Sequence, residues 1–195
     1  RRPEKKEKRE RPTQHHEIIA GLEPELLPCL YFVYSRRTCE QYARQLTHKR
    51  DAGYLDEDEA KRVLAELEAF EAIHPQVLAS ELAQALLRGI AFHHAGLHVH
   101  LKGLVERLYE KRLVHVLYCT TTFALGINMP ARTVVFNDTT RYDGRGYSPL
   151  SVREFMQMAG RAGRRGIDRH GHAVVRLDFD DFRAQRELIE RFIAG

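Results

Sequence analysis

Residues 157–166 read QMAGRAGRRG, and this stretch says more about the fold and the chemistry than any other part of the chain. Upstream of it, Ser151 is followed three residues later by Glu154, which is the spacing of a capping box at a helix N-terminus. Gly166 is a typical residue just beyond a helix C-terminus. Together these signals predict a helix over residues 152–165.

A helix of 3.6 residues per turn would bring the polar residues of this stretch onto one face. Gln157, Arg161 and Arg164 follow one another at offsets of 0, +4 and +7. The opposite, apolar face would be buried and comprises Val152, Phe155, Ala159 and Ala162. Two planar guanidinium groups that point the same way suit a polyphosphate, whose negative charge is spread over several oxygens. A solvated arginine face explains the same pattern, and the residues alone leave both interpretations open.

Gly160 and Gly163 lie inside the predicted helix, where each glycine costs about 1 kcal/mol relative to alanine. Glycine is used where backbone must come close to another group, because it has no Cβ. We therefore expect another group to approach the backbone at these positions.

Charge is distributed unevenly along the 195-residue chain, which has 31 basic and 27 acidic residues. Residues 1–12 hold seven Lys or Arg and three Glu, which accounts for the whole net charge of +4. The other 183 residues are balanced, with 24 of each sign, so attraction to nucleic acid must come from local patches. We predict that residues 1–20 are a disordered basic linker and that residues 21–195 form one domain.

Composition also bears on the cellular setting. The cysteines Cys29, Cys39 and Cys119 are far apart and form no CxxC pair, which is typical of reduced thiols and predicts no metal framework. No apolar run approaches the roughly 18 residues of a membrane span, and no signal peptide is apparent. We expect a soluble protein of the cytoplasm, or of the nucleus in a eukaryote, without a membrane partner.

Short apolar segments alternate with helical ones along the chain. The predicted strands cover residues 30–34, 90–92, 114–119, 133–137 and 173–177. Alternation of this kind predicts an α/β fold, in which a parallel sheet lies between helices. Ligands of such sheets gather beyond the carboxyl ends of the strands. Ser35–Arg37 and Thr120–Asn128 directly follow predicted strands, and we expect them on that edge.

Two further segments contain residues that bind ligands in other proteins. Residues 92–100, FHHAGLHVH, are rich in histidine but lack a cysteine or carboxylate at ligand spacing, so we predict no metal site. Residues 141–147, RYDGRGY, combine two arginines with two tyrosines. Stacking on bases and an ordinary exposed loop both explain this second segment.

Four segments resemble, in order, the motifs of superfamily-two helicases. Residues 32–37 (FVYSRR) resemble motif IV, residues 92–97 the segment after it, residues 120–132 (TTTFALGINMPAR) motif V, and residues 157–168 motif VI. The runs ALGINMPARTVVF and GRRGID are most similar to the superkiller-type DExH-box RNA helicases associated with RNA exosomes. The resemblance implies the second RecA-like motor domain of such an enzyme.

The resemblance also implies roles for individual residues. Gln157, Arg161 and Arg164 would be catalytic residues that face the nucleotide phosphates. Asn128 would bind the ribose hydroxyls of the nucleotide, and Gly126 would give its loop conformational freedom. The residues expected to contact nucleic acid are Ser35, Arg36, His94, Gly96, Thr120 and Thr121. Thr121 departs from the acidic residue expected at its position in superkiller-type enzymes.

The 195 residues contain neither a GxxxxGK[ST] loop for phosphates nor an acidic DExH element for magnesium. The resemblance therefore implies that ATP and Mg2+ bind mainly to a first RecA-like domain elsewhere in the polypeptide, and that this chain alone does not hydrolyse ATP. It also implies single-stranded RNA as a partner, with DNA left open, and a link to RNA-degradation machinery. Two other functions remain open: a DNA helicase of the related repair branch, and a non-catalytic nucleic-acid-binding module.

Overall fold

The computed structural model describes residues 11–121, 129–142, 144–177 and 179–194, and for residues 179–184 the backbone alone. The strands of the described chain are β1 (Cys29–Phe32), β2 (Ile90–His93), β3 (Val116–Cys119), β4 (Thr133–Phe136), β5 (Thr140–Tyr142), β6 (Tyr147–Pro149) and β7 (His172–Val175). Five of them form the main sheet, in the spatial order β2-β3-β1-β4-β7, and β5 pairs with β6. All neighbours in the main sheet are parallel, which confirms the predicted parallel sheet.

Helices connect the strands. Those of the described residues are α1 (His15–Ala20), α2 (Arg36–Thr47), α3 (Glu57–Ile73), α4 (Ser80–Leu86), α5 (Val99–Glu110), α6 (Val152–Ala159) and α7 (Phe179–Ala194), with a short 3-10 helix at Pro24–Leu26. The α/β fold predicted from the alternation of segments is therefore confirmed. Within the residues described, no helix is long and apolar enough to cross a membrane.

Strand β1 lies at the centre of the sheet and is hydrogen-bonded on both sides. Phe32 is level with Cys119 of β3 and with Phe136 of β4, and Cys119 is level with His93 of β2. Because the strands run the same way, their carboxyl ends meet at one edge of the sheet and their amino ends at the opposite edge. The sheet therefore offers two separate edges, carboxyl and amino, at which a ligand could bind.

One face of the sheet is covered by α1 and α2 through a cluster of rings. Tyr31 and Tyr118 are level in register and share this face, with ring centroids 5.2 Å apart. His15 packs edge-on against Tyr118, at 5.5 Å, and stacks on Tyr42 of α2, at 3.9 Å. Side chains alternate between the faces of a strand, so the neighbours of these tyrosines point the other way.

The other face is covered by α6 and α7. Phe32 and Phe136 lie on it with ring centroids 5.9 Å apart. Phe155 of α6 stacks on Phe136, at 4.5 Å, and on Phe192 of α7, at 4.2 Å. Every residue of β1 to β4 is buried, as expected for parallel strands covered on both faces.

The folded body begins before residue 21, so the predicted linker over residues 1–20 is too long at its C-terminal end. Residues 15–20 form α1, whose His15 and Ile19 are buried. The Nδ1 atom of His15 lies 2.8 Å from the Tyr118 hydroxyl, and its Nε2 atom lies 2.9 Å from Oε1 of Gln45. Burial lowers the pKa of His15 to about 4, so the ring is neutral at pH 7. The basic composition of residues 1–12 concealed this anchor.

Helix α6 begins as predicted but ends early. The capping box of Ser151 and Glu154 is present, with reciprocal hydrogen bonds between side chain and backbone. The helix ends at Ala159, six residues before the predicted end, and Gly163 then has a φ of +88°. The predicted shared helical face of Gln157, Arg161 and Arg164 is therefore wrong, because both arginines lie beyond the helix.

The tyrosine-rich segment forms a hairpin of β5 and β6 rather than a loop. Tyr142 and Tyr147 are level in the hairpin and exposed, with ring centroids 5.5 Å apart. Arg141 forms an ion pair with Glu154, which ties the hairpin to the first turn of α6.

Replacing Phe155 with alanine should destabilise the domain by about 3–5 kcal/mol, because its ring is 7% exposed and stacks between two other rings. Urea unfolding of the 195-residue chain, followed by circular dichroism, measures the loss. Met156→Ala is the control, since this neighbour is 46% exposed and its truncation should cost less than about 1 kcal/mol. Equal stability of the two variants would contradict the packing described for α6.

Candidate functional site

Residues 160–171 connect α6 to β7 and form what we call the arginine loop. The loop lies at the amino edge of the sheet, beside the residues that lead into β4. The Ala131 N–H donates to the Arg161 carbonyl, at 2.9 Å, and the Gly163 N–H donates to the Ala131 carbonyl, at 2.8 Å. The His172 N–H donates to the Arg132 carbonyl, at 3.1 Å. These backbone bonds draw the chain away from a helical path and fix both ends of the loop.

The loop closes on itself through two glycines. A Cβ on Gly171 would lie 2.3 Å from the carbonyl carbon of Ala162 and 2.4 Å from the backbone nitrogen of Gly163. Neither contact could be relieved by a side-chain movement, since both partners are backbone. The expectation that something comes close to Gly163 is therefore met by another part of the same loop.

Arg164 is held by a carboxylate of its own loop. Its Nε atom donates to Oδ2 of Asp168, at 2.8 Å, and its Nη2 atom donates to Oδ1, at 2.9 Å. The Arg164 backbone N–H also donates to Oδ2, at 2.9 Å. The Arg164 guanidinium holds the pKa of Asp168 well below its usual range, so the carboxylate is charged at neutral pH.

A second arginine approaches the same carboxylate. The Nη1 atom of Arg132 lies 3.4 Å from Oδ1 of Asp168 and also donates to the His170 carbonyl. The Asp168 side chain is only 6% exposed, whereas that of Arg164 is 19% exposed. Two cations around one carboxylate leave a net charge of +1, which suits an anionic ligand.

The remaining predicted phosphate-facing residues lie on either side of the end of α6. Gln157 is exposed on the last turn of the helix, and Arg161 is half-buried in the turn that follows. The Arg161 N–H donates to the Met158 carbonyl, at 3.0 Å, so its backbone still follows a tight turn. Gly126 and Asn128, predicted to bind the nucleotide, lie outside the described residues.

The carboxyl edge of the sheet carries a second group of predicted residues, which we call the strand-end surface. It comprises Ser35, Arg36, Gly96 and Thr120. Ser35 follows β1 and caps α2, accepting a hydrogen bond from the Thr38 N–H, at 3.3 Å. Thr120 follows β3, and its N–H donates to the carbonyl of His93, the last residue of β2, at 3.3 Å. Half-buried Thr121 comes next, at the border of the described chain.

Arg36 and Arg37 occupy the first turn of α2, where the helix dipole disfavours positive charge. The first turn contains no acidic residue, and both arginines are exposed. Among the described residues, neither side chain has a hydrogen-bond or ion-pair partner. A local arrangement that is unfavourable and uncompensated is typical of a binding site for an anion.

Gly96 and Arg36 are in contact, although 60 residues separate them in the sequence. A Cβ on Gly96 would lie 2.8 Å from Nη1 of Arg36, so the guanidinium lies directly over the glycine backbone. The structure thus brings together two residues that the resemblance assigned to nucleic acid through two different motifs.

His94 does not present its side chain to this surface, contrary to the prediction. It is 3% exposed, and its Nε2 atom lies 2.8 Å from Oε1 of Glu40 on α2. His93 is buried in the same way, with Nε2 2.9 Å from Oε1 of Glu106, as its alternative packing role required. Both imidazole rings are packed inside the domain, and each lies within hydrogen-bond distance of a carboxylate on a neighbouring helix.

Two residues with polar functions were missed by the sequence analysis. Lys102 of α5 donates from Nζ to the Ala95 carbonyl, at 2.8 Å, and so adds a cation beside Gly96. Asp168 had a usable signal, because a carboxylate four residues after Arg164 matches the spacing of a helical ion pair. Nothing comparable in the sequence indicated Lys102.

The part of the chain that the structure describes contains no cluster of side chains suited to bind a metal ion. Within it, no group of three or more His, Cys, Asp and Glu side chains could hold one ion. Cys29, Cys39 and Cys119 are buried free thiols.

Comparison with known proteins reveals one family. Residues 77–166 match the helicase conserved C-terminal domain. The chain is 40% identical to the antiviral helicase SKI2 of Saccharomyces cerevisiae, over 77% of this chain and 12% of that protein. It is 39% identical to the exosome RNA helicase MTR4 of Mus musculus, over 80% of this chain and 15% of MTR4. It is 41% identical to the probable helicase HelY of Mycobacterium tuberculosis, over 85% of this chain and 19% of HelY. The chain therefore spans less than a fifth of these relatives.

Replacing Gly171 with alanine should lower the free energy of unfolding by about 1–3 kcal/mol, because the added methyl meets backbone atoms of Ala162 and Gly163. Gly53→Ala is the control, since nothing lies within 4 Å of a Cβ at that position. Denaturant unfolding of both variants measures the difference. Wild-type stability of the Gly171 variant would mean that the two sides of the arginine loop are not in contact.

Proposed function

This chain carries the helicase conserved C-terminal domain of the superkiller-type helicases, and on that basis we propose that it is the second motor domain of a larger ATP-dependent RNA helicase. In that enzyme, ATP and Mg2+ bind mainly to a first RecA-like domain of the same polypeptide. This chain faces the nucleotide from across the cleft. The central parallel sheet between helices is the RecA-like scaffold that such a role requires.

The observation that carries the proposal is the arginine loop, which fixes the backbone at Arg161 and the guanidinium of Arg164. Backbone bonds to Ala131 and the close approach of Gly171 hold the loop, and Asp168 holds Arg164. Charge that is fixed in place before reaction stabilises a transition state without a cost of reorganisation. Arg161 and Arg164 therefore suit the role of arginine fingers for the phosphates of ATP, and exposed Gln157 suits a sensor of the γ-phosphate.

Single-stranded RNA would be gripped at the strand-end surface. Arg36 supplies a positive charge at the N-terminus of α2 that has no ion-pair partner among the described residues, and the backbone of Gly96 lies beneath it. Hydroxyls such as those of Ser35 and Thr120 bind phosphate oxygens without reading base sequence. A helicase that moves along RNA needs this kind of contact, because it must hold every sequence equally.

The two sites would work in alternation. Closure of the cleft around ATP brings the arginine loop to the phosphates, and opening after hydrolysis releases it. Because the arginine loop and the strand-end surface lie at the two ends of the same strands, a movement of the domain in each cycle would carry the grip at Arg36 and Thr120 along the RNA. Translocation along RNA results from repeated cycles.

Two other functions have distinct signatures. A DNA helicase would bind DNA and RNA of one sequence equally, whereas contacts to the 2′-hydroxyl favour RNA. A binding module without motor activity would lack both a phosphate loop and a DExH element in the rest of its polypeptide. We favour RNA over DNA as the substrate because one of the relatives, MTR4, is an exosome RNA helicase. On the same ground we propose RNA-degradation machinery as the partner and the cytoplasm or nucleus as the location.

Alanine in place of Arg161 or Arg164 should reduce RNA-stimulated ATP turnover of the intact enzyme by roughly a thousandfold, the scale on which arginine fingers act. Lysine should restore little, because an ammonium group lacks the planar fork of a guanidinium. Steady-state ATPase assays measure the effect, with turnover expressed per folded molecule. Arg165→Ala is the matched control, since Arg165 is exposed in the same loop and its loss removes the same charge.

Normal ATP turnover by the Arg164→Ala enzyme would refute the proposed role of the arginine loop. Strong ATP hydrolysis by the 195-residue chain alone, abolished by the same substitution, would refute the division of the site between two domains.

Arg36→Ala should weaken binding of single-stranded RNA and reduce the slope of log K against log salt by roughly 0.7, the value for one phosphate contact to a single strand. Gly96→Ala should also weaken binding, because the new methyl would displace the Arg36 guanidinium without removing its charge. Fluorescence anisotropy with a labelled oligoribonucleotide measures both effects.

The control for charge is Arg62→Ala, which removes an exposed cation from α3. It should leave the RNA affinity within about twofold of the wild type. An unchanged salt slope for Arg36→Ala would exclude Arg36 from the RNA contact, whatever the result for Gly96→Ala.

A further inference from the structure

Asp168 accepts hydrogen bonds from the Nε and Nη2 atoms of the Arg164 guanidinium. Its Oδ2 atom accepts from Nε and its Oδ1 atom accepts from Nη2, at 2.8 and 2.9 Å. This is a bidentate pair, in which the plane of the carboxylate fixes the plane of the guanidinium. The third bond, from the Arg164 backbone N–H to Oδ2, ties the carboxylate to the main chain at 2.9 Å.

The other end of the guanidinium is left for a ligand. A guanidinium has five N–H donors, and the pair with Asp168 engages the Nε donor and one of those on Nη2. Among the described residues, Nη1 of Arg164 makes no hydrogen bond or ion pair. Three donors, two on Nη1 and one on Nη2, therefore remain for the oxygens of a phosphate.

The carboxylate does not cancel the positive charge of the site. Arg132 approaches Asp168 from a second side, with its Nη1 atom 3.4 Å from Oδ1. With two arginines and one aspartate the cluster stays at +1. The Asp168 side chain is only 6% exposed, so its charge is largely shielded from a ligand by the groups around it.

We propose that Asp168 is a positioning residue that aims the Nη1 end of Arg164 at the phosphates of ATP. The proposal rests on the role of Arg164 given under Proposed function and adds the group that sets its orientation. A guanidinium held in one plane delivers its donors without first losing conformational freedom. Asp168 itself touches no reacting atom.

The test compares Asp168→Asn, Arg164→Ala and the double variant in the intact enzyme that contains this domain. In Asp168→Asn the side-chain amide places its own N–H donors against those of the guanidinium, which breaks the bidentate pair at nearly constant volume. We expect kcat for ATP to fall by roughly 100-fold, the effect of a misplaced catalytic group, with KM for ATP within about threefold. The double variant should be no slower than Arg164→Ala alone.

Asp56→Asn is the matched control. Asp56 caps α3 by accepting from the Glu59 N–H, at 2.8 Å, and the substitution makes the same change of charge away from the arginine loop. It should leave kcat unchanged. Turnover is expressed per folded molecule, from thermal unfolding of each variant.

A wild-type kcat for folded Asp168→Asn would overturn the proposal, and so would a double variant that is slower than Arg164→Ala by the full Asp168→Asn factor. If Asp168→Asn does not fold, Asp168→Glu decides the matter. Glutamate keeps the charge but moves the carboxylate outward by one methylene, so the proposal requires a lower kcat and a wild-type kcat refutes it. Normal turnover by Arg164→Ala is a different result, because it refutes the arginine finger itself.

Discussion

Strand β1 has a parallel neighbour on each side, and all four of its residues are fully buried. Its backbone groups cannot be satisfied by water, so they require both β3 and β4. Parallel pairing in turn requires a long crossover connection between successive strands, usually one that contains a helix. This constraint separates the carboxyl ends of the strands from their amino ends, and the two candidate sites of the domain lie at those opposite edges.

The two edges treat their arginines in different ways. Arg36 stands at the start of a helix, in the field of the helix dipole, and the first turn of that helix contains no acidic residue. Arg164 is paired with Asp168 in a closed loop and keeps only part of its donors for a ligand. A solvated, adaptable cation suits a strand that slides past it, whereas an oriented cation suits a small ligand bound in one geometry. The balanced net charge of residues 13–195 does not reveal this difference between Arg36 and Arg164, because the difference arises from local geometry.

Sequence patterns predicted those features that depend on neighbouring residues. The alternation of segments predicted the parallel sheet, and the spacing of Ser151 and Glu154 predicted the start of α6. The end of α6 could not be predicted, because the bonds that unwind it come from Ala131. Similarly, the burial of His94 depends on Glu40, which lies 54 residues away in the chain. The motif resemblance identified residues but could not supply the partners that orient them.

One stretch of chain joins the two edges. Thr120 follows β3 at the strand-end surface, and Ala131 is hydrogen-bonded to the arginine loop at the opposite edge of the sheet. In a motor of the proposed kind, a conformational change that accompanies binding at one edge and alters the affinity at the other makes the two binding equilibria interdependent. Thermodynamic linkage then demands reciprocity: whatever factor RNA applies to the affinity for ATP, ATP must apply to the affinity for RNA. In such a motor, ATP would strengthen the binding of RNA by the same free energy by which RNA strengthens the binding of ATP.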